Sequence, residues 1–250
     1  MFSNKELRSM IITLFFEQLL VMLVGIVDTF VVSSCGEAAV SGVSLVNQFN
    51  TIFIYLFTAL ASGGAIIVSQ YIGNKDEKRT VLSSSQLLMF SIVFSIVLSI
   101  LVLIFNKQLL GLLFGKVESD VMEACVTYLR ISAYSYPALA IYNAGAALYR
   151  SMAKTKVTMY ISFAANIINV VGNIIGVYVL KAGVAGVAYP SLISRVFSAI
   201  IITVLCFNKK LEAYYDLKDI FRFDGKMLKR ILNIAIPNGV ENGIFQLVKV

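Results

Sequence analysis

Histidine and tryptophan are both missing from the 250 residues, and only three prolines and three cysteines are present. Without histidine, imidazole acid–base chemistry is excluded, so any proton-handling side chain has to be a carboxylate. Cys35, Cys125 and Cys206 lie far apart and lack CxxC spacing, which argues against a disulfide framework and against a zinc site. Charged residues make up only 14% of the chain, against about 25% in soluble globular domains. No Gly-rich phosphate loop, Lys-Ser/Thr P-loop ending or nucleophile elbow occurs, so nothing points to an enzyme and no cofactor is expected.

What is present is apolar: 58% hydrophobic residues and a mean hydropathy of +0.84. Apolar spans fall at about 10–33, 43–68, 82–105, 125–148, 157–180 and 184–207, and a seventh begins near Ile231. Each of the six is long enough for a hydrocarbon core of about 30 Å, which roughly 20 helical residues cross. The fold class expected is an all-α integral membrane protein. The first span is too long for a signal peptide and lacks a small-residue cleavage site, so it is read as part of the mature chain.

The net charge of +7 follows the positive-inside rule and does not require a nucleic-acid partner. Lysines and arginines crowd the N-terminal tail, 71–80, 150–156 and 208–230, whereas the alternate connections hold only Lys107, Lys116, Arg130 and Lys181. A cytoplasmic N-terminus is therefore expected. The segment 208–230 mixes charge with periodic aromatics, which suits either an amphipathic surface helix or, preferably, a solvated linker. The stretch 106–124 has a similar interfacial composition. Ala61–Ala65 and Ala182–Gly186 are small-residue clusters that let helices approach closely in a bilayer.

Against this background the acids inside the spans stand out. Asp28 lies deep in the first span with Glu17 eleven residues earlier. At 100° per residue the two differ by only about 20° around the axis and lie roughly 16 Å apart along it. An ionisable residue at such depth costs at least about 2.5–3.5 kcal/mol and normally marks an ion or substrate path. The fifth span carries Asn166, Asn169 and Asn173, the last two one turn apart, and the second carries Asn47, Gln48 and Asn50. Such amides can be simple interhelical hydrogen bonds. Alternatively, a cation shedding its water needs several neutral oxygens and one carboxylate, which Asp28 and the fifth-span amides supply if their helices adjoin. The last span opens with IAIPNGVENGIFQLVKV, in which Pro237 is read as a helix-start proline and Glu241 follows one turn later. Aligning FFEQLL with GVENGI makes the seventh helix resemble a restart of the first.

Four stretches resemble the multidrug and toxic compound extrusion (MATE) transporters: EQLLVMLVGIVDTFVVSSCGEAAVSGVSLV, ASGGAIIVSQYIGNKDEKR, YLRISAYSYPALAIYNAGAALYRSMAKTK and NIINVVGNIIGVYVLKAGVAGVAYPS. The resemblance implies a secondary-active antiporter of the cell membrane that exports organic cations or amphipathic compounds in exchange for protons or sodium. It also implies a six-helix lobe at 1–207, a cytoplasmic linker at 208–230 and the start of a second lobe at 231–250, as in a truncated twelve-helix transporter. The chain is then expected to be a fragment, and transport to need the second lobe. The family's N-lobe cation site maps onto Asp28, Asn169, Asn173 and Ser191, with sodium possible at the first three. Asn173 stands where the family has a second acid, so the close carboxylate pair that favours proton coupling is absent. Glu17, Glu241, Gln48 and Asn166 are further candidates for substrate or cation binding or for gating. The alternatives are a lipid-linked oligosaccharide flippase, for which only Arg195 and Lys249 supply interior basic charge, and a non-transporting scaffold or receptor.

Overall fold

The computed structural model describes residues 4–115 and 117–249, without the side chains of 4–7, 9, 10, 21 and 241–249. Among the described residues every regular element is helical: α1 (Asn4–Ser33), α2 (Glu37–Gly73), α3 (Glu77–Phe114), α4 (Ser119–Tyr134), α5 (Tyr136–Ser151), α6 (Thr155–Ile174), α7 (Ala185–Cys206), α8 (Leu217–Ile220) and α9 (Gly225–Lys249). The connections between the long helices are short. Gly36, at φ 104°, makes the α1–α2 turn in a conformation that side chains avoid. Asp76 caps α3 by accepting a hydrogen bond from the Arg79 N–H at 3.1 Å.

Helices α2 and α3 are 37 and 38 residues long, several turns more than the apolar spans 43–68 and 82–105, so both run past the hydrocarbon layer. The 106–124 stretch is correspondingly the end of α3, beyond a kink at Phe105, and the start of α4. The fourth span is two helices, α4 and α5, that break at Ser135. Proline supplies the reason. Pro137 has no N–H for the Ala133 carbonyl, which instead accepts from the Ser99 hydroxyl of α3 at 2.7 Å. The core beside the break is aromatic: Phe53 stacks on Tyr136 with centroids 4.7 Å apart, and the Tyr136 hydroxyl donates to Asn50 Oδ1 at 2.7 Å.

Helix α2 occupies the centre, against α3, α4, α5 and α9, while α1 lies along α6 and α6 along α7. A π-helical turn, Ile175–Val179, extends α6. There the chains cross so closely that a Cβ on Gly186 would stand 2.6 Å from the Gly176 carbonyl oxygen, which only glycine permits. Apart from the side towards α6, α1 exposes Ile11, Phe15, Met22, Ile26 and Phe30, the apolar surface a bilayer accepts.

Two sequence readings meet the structure here. Residues 208–230 form no continuous amphipathic helix, the less favoured of their two readings; 208–224 make a strap with one short helix, α8, held by α3, and 225–230 open α9. The buried Gln86 amide donates to the carbonyls of Asp219, at 2.7 Å, and Arg222, and accepts from Asp224 N–H at 3.0 Å. Burial also pushes the Tyr215 hydroxyl well above the usual tyrosine range. Second, Pro237 is inside a helix, because α9 starts at Gly225. Asp224 sets that earlier start by accepting from the N–H groups of Lys226 and Met227, both at 3.0 Å.

Candidate functional site

Helices α1 and α6 run parallel in one register. Glu17 pairs with Ser162 and Asp28 with Asn173, both partners 145 residues ahead. The amphipathic spacing of α6 creates this seam: its polar residues Ser162, Asn166, Asn169 and Asn173 fall within about 60° of one another around the axis.

At one level of the seam three helices meet. The Asn173 amide nitrogen, fully buried on α6, donates to Asp28 Oδ1 of α1 at 2.5 Å. The buried Asn169 amide is satisfied when its nitrogen faces Asp28 Oδ1 at 3.1 Å and its oxygen accepts from Ser191 Oγ of α7 at 2.9 Å. Asp28 also borders a cavity of about 80 Å³ lined by Thr29, Asn47 and Tyr128 among others. Arg195, one turn beyond Ser191, donates to Ser135 Oγ at 2.6 Å, at the break between α4 and α5. The group thus offers one carboxylate, two amides and a hydroxyl. Asn173 Oδ1 is buried without a hydrogen-bond donor, so a neutral oxygen remains available to a small cation.

The other candidates distribute unevenly. Glu17 Oε1 accepts from Ser162 Oγ at 3.0 Å, and the Tyr142 hydroxyl of α5 lies 2.7 Å from the same Ser162 oxygen. Asn166 sits between the two acid levels with its amide nitrogen buried and unpartnered. Gln48 is exposed on α2 and does not join the group; Asn47, 100° round the helix, takes that place beside Asp28. The side chains of Glu241 and Lys249 lie outside the described residues. Ser162, Tyr142 and Tyr128 went unnoticed in the sequence. Ser162 was findable, one turn before Asn166 on the asparagine face, whereas tyrosines are too common in apolar helices to signal a site.

A family profile described as MatE matches residues 13–175, which contain every one of these α1 and α6 polar residues. The chain belongs to the MatE family. MatE proteins form a multidrug efflux transporter family of multi-pass membrane proteins. The chain is 28% identical to the uncharacterized transporter YisQ of Bacillus subtilis (strain 168) over 238 residues, 94% of this chain and 52% of that protein. It is 24% identical to the probable multidrug resistance protein NorM of Thermotoga maritima over 246 residues, 97% of this chain and 52% of that protein. A solved structure described as the outward-facing conformation of a multidrug resistance MATE family transporter of the MOP superfamily shares the fold, with a TM-score of 0.86, 23% identity, and coverage of 94% of this chain and 51% of that one. This chain therefore spans about half the length of the curated MatE relatives it matches.

Proposed function

We propose that this chain supplies the N-terminal lobe of a cation-coupled antiporter that expels cationic or amphipathic organic compounds, with Asp28 as the coupling carboxylate and a proton or sodium ion as its counter-substrate. The supporting observation is the Asp28 group itself: a single carboxylate within a membrane-spanning helix, surrounded by the neutral groups of Asn169, Asn173 and Ser191 from two further helices. A carboxylate left there alone would be costly. Neutralised by a proton, a sodium ion or an organic cation it becomes tolerable, and only one of these can occupy it at a time. Competition of that kind couples inward ion movement to outward substrate movement once a second lobe provides alternating access.

In this reading residues 1–207 are the lobe, 208–230 the inter-lobe linker and 231–250 the beginning of the second lobe, in a cell-membrane protein with a cytoplasmic N-terminus. Arg195 is the one basic side chain described beside the Asp28 group. A single guanidinium engaged with Ser135 is a poor cradle for a pyrophosphate, which favours efflux over lipid-linked oligosaccharide flipping. The test is ethidium efflux from proteoliposomes containing the whole transporter, under separately imposed proton and sodium gradients. One gradient drives export in the parent and none does in Asp28→Asn; parental export by that variant would overturn the proposal.

A further inference from the structure

Glu17 forms a second polar centre on the same seam, and its wiring differs from that of Asp28. One carboxylate oxygen accepts from Ser162, Tyr142 lies against both Ser162 and Glu17, and Oε2 is buried with no hydrogen bond of its own. A carboxylate serving only to tie helices together would have both oxygens closed, since an unmatched buried charge destabilises the packing it is meant to secure. Asn166 carries the next unmatched buried atom, its amide nitrogen. It lies about 6 Å beyond Ser162 along α6 and about 4.5 Å short of Asn169. Polar groups therefore follow one another at short intervals from Glu17 to Asp28, through an otherwise apolar contact between two helices. About one turn before Glu17, between α1 and α6, lies a cleft of about 370 Å³ lined by Arg8, Thr13, Phe16 and Lys156 among others. That cleft is at the basic end of the lobe.

We propose that Glu17 is a second cation-accepting carboxylate, and that the α1–α6 seam, bridged by Asn166, is the path along which the coupling cation passes between Asp28 and the Arg8–Lys156 end. The cation is monovalent and small, sodium or a hydrated proton. The inference rests on the reading of Asp28 as the coupling site. Glu17 holds the ion after Asp28 has released it, and Asn166, whose unpartnered nitrogen is a donor, meets the ion only by turning its amide so that the carbonyl oxygen faces it.

The test uses the whole transporter in proteoliposomes, with ethidium as substrate and sodium and proton gradients imposed separately. Glu17→Gln and Asn166→Leu each lower the maximal gradient-driven efflux about tenfold, and Asn166→Ser, which keeps a polar oxygen, restores most of it. Infrared difference spectra on adding sodium or acid to the purified protein show two responding carboxyl signals, one removed by Glu17→Gln and the other by Asp28→Asn. Parental efflux in both Glu17→Gln and Asn166→Leu, with Asp28→Asn inactive, overturns the seam and leaves the Asp28 reading standing. Parental efflux in Asp28→Asn as well overturns both. Loss of efflux in Glu17→Gln without loss of a carboxyl signal makes Glu17 a packing residue and refutes the proposal. Should Glu17→Gln fail to insert, the Asn166 pair decides: equal activity in the leucine and serine variants refutes the path.

Discussion

Replacing Asn173 with leucine isolates what the amide does for Asp28. The two side chains have similar volume and the position is fully buried, so packing is nearly kept. The hydrogen bond to Asp28 Oδ1 disappears, as does the buried, unpartnered Oδ1 of the same amide. A hydrogen bond to a charged group contributes about 1.5–3 kcal/mol, which corresponds to roughly 10- to 150-fold in an equilibrium constant. The expected result depends on the ion: the half-maximal sodium concentration rises by that order, because a ligating oxygen is lost, whereas the half-maximal proton concentration falls by that order, because the charged carboxylate loses a donor and holds a proton more tightly, with the protein still inserted and monodisperse. Asn173→Gln, with its amide one methylene further out, recovers part of the loss. A half-maximal concentration within about twofold of the parent in Asn173→Leu, less than one such hydrogen bond, would refute the assignment of this amide to the cation site.

The strap gives a second expectation. Gln86→Leu removes three hydrogen bonds to 219–224, about 2–4 kcal/mol of local stability, and should accelerate hydrogen exchange there while α2 and α5 keep their protection; unchanged exchange would contradict the strap geometry. Gly186→Val should lower the melting temperature and the folded yield, since its Cβ would press on the Gly176 carbonyl, an overpacking worth about 1–3 kcal/mol. With the N-terminus inside, a membrane-impermeant maleimide should label Cys35 from outside the cell while the buried Cys125 and Cys206 are spared; labelling only after permeabilisation would reverse the orientation. Burial raises the Cys35 thiol above its ordinary range, so its thiolate is scarce near neutrality and labelling should quicken as pH rises through the alkaline region.

Much of the lobe was legible because a bilayer imposes length and hydropathy on any helix that crosses it. Periodicity alone also put Glu17 and Asp28 on one face. The break at Ser135 was harder to see, since it depends on Ser99 of another helix receiving the Ala133 carbonyl. Pro237 misled for a related reason: a helix-start proline was plausible until Asp224 was found capping α9 three turns earlier. Asn47 and Gln48 were equivalent as letters, and only the rotation of α2 decides which one borders Asp28. The pairing of α1 with α6 is a long-range fact that spacing within either helix does not contain.

The most direct test of the account is a simultaneous record of ion entry and ethidium exit in proteoliposomes of the whole transporter, comparing the parent with Asp28→Asn. The account predicts that in the parent each ethidium leaves with a fixed number of sodium ions or protons entering, and that both fluxes vanish together in Asp28→Asn. Ethidium exit that continues in Asp28→Asn with the same accompanying ion entry would contradict it.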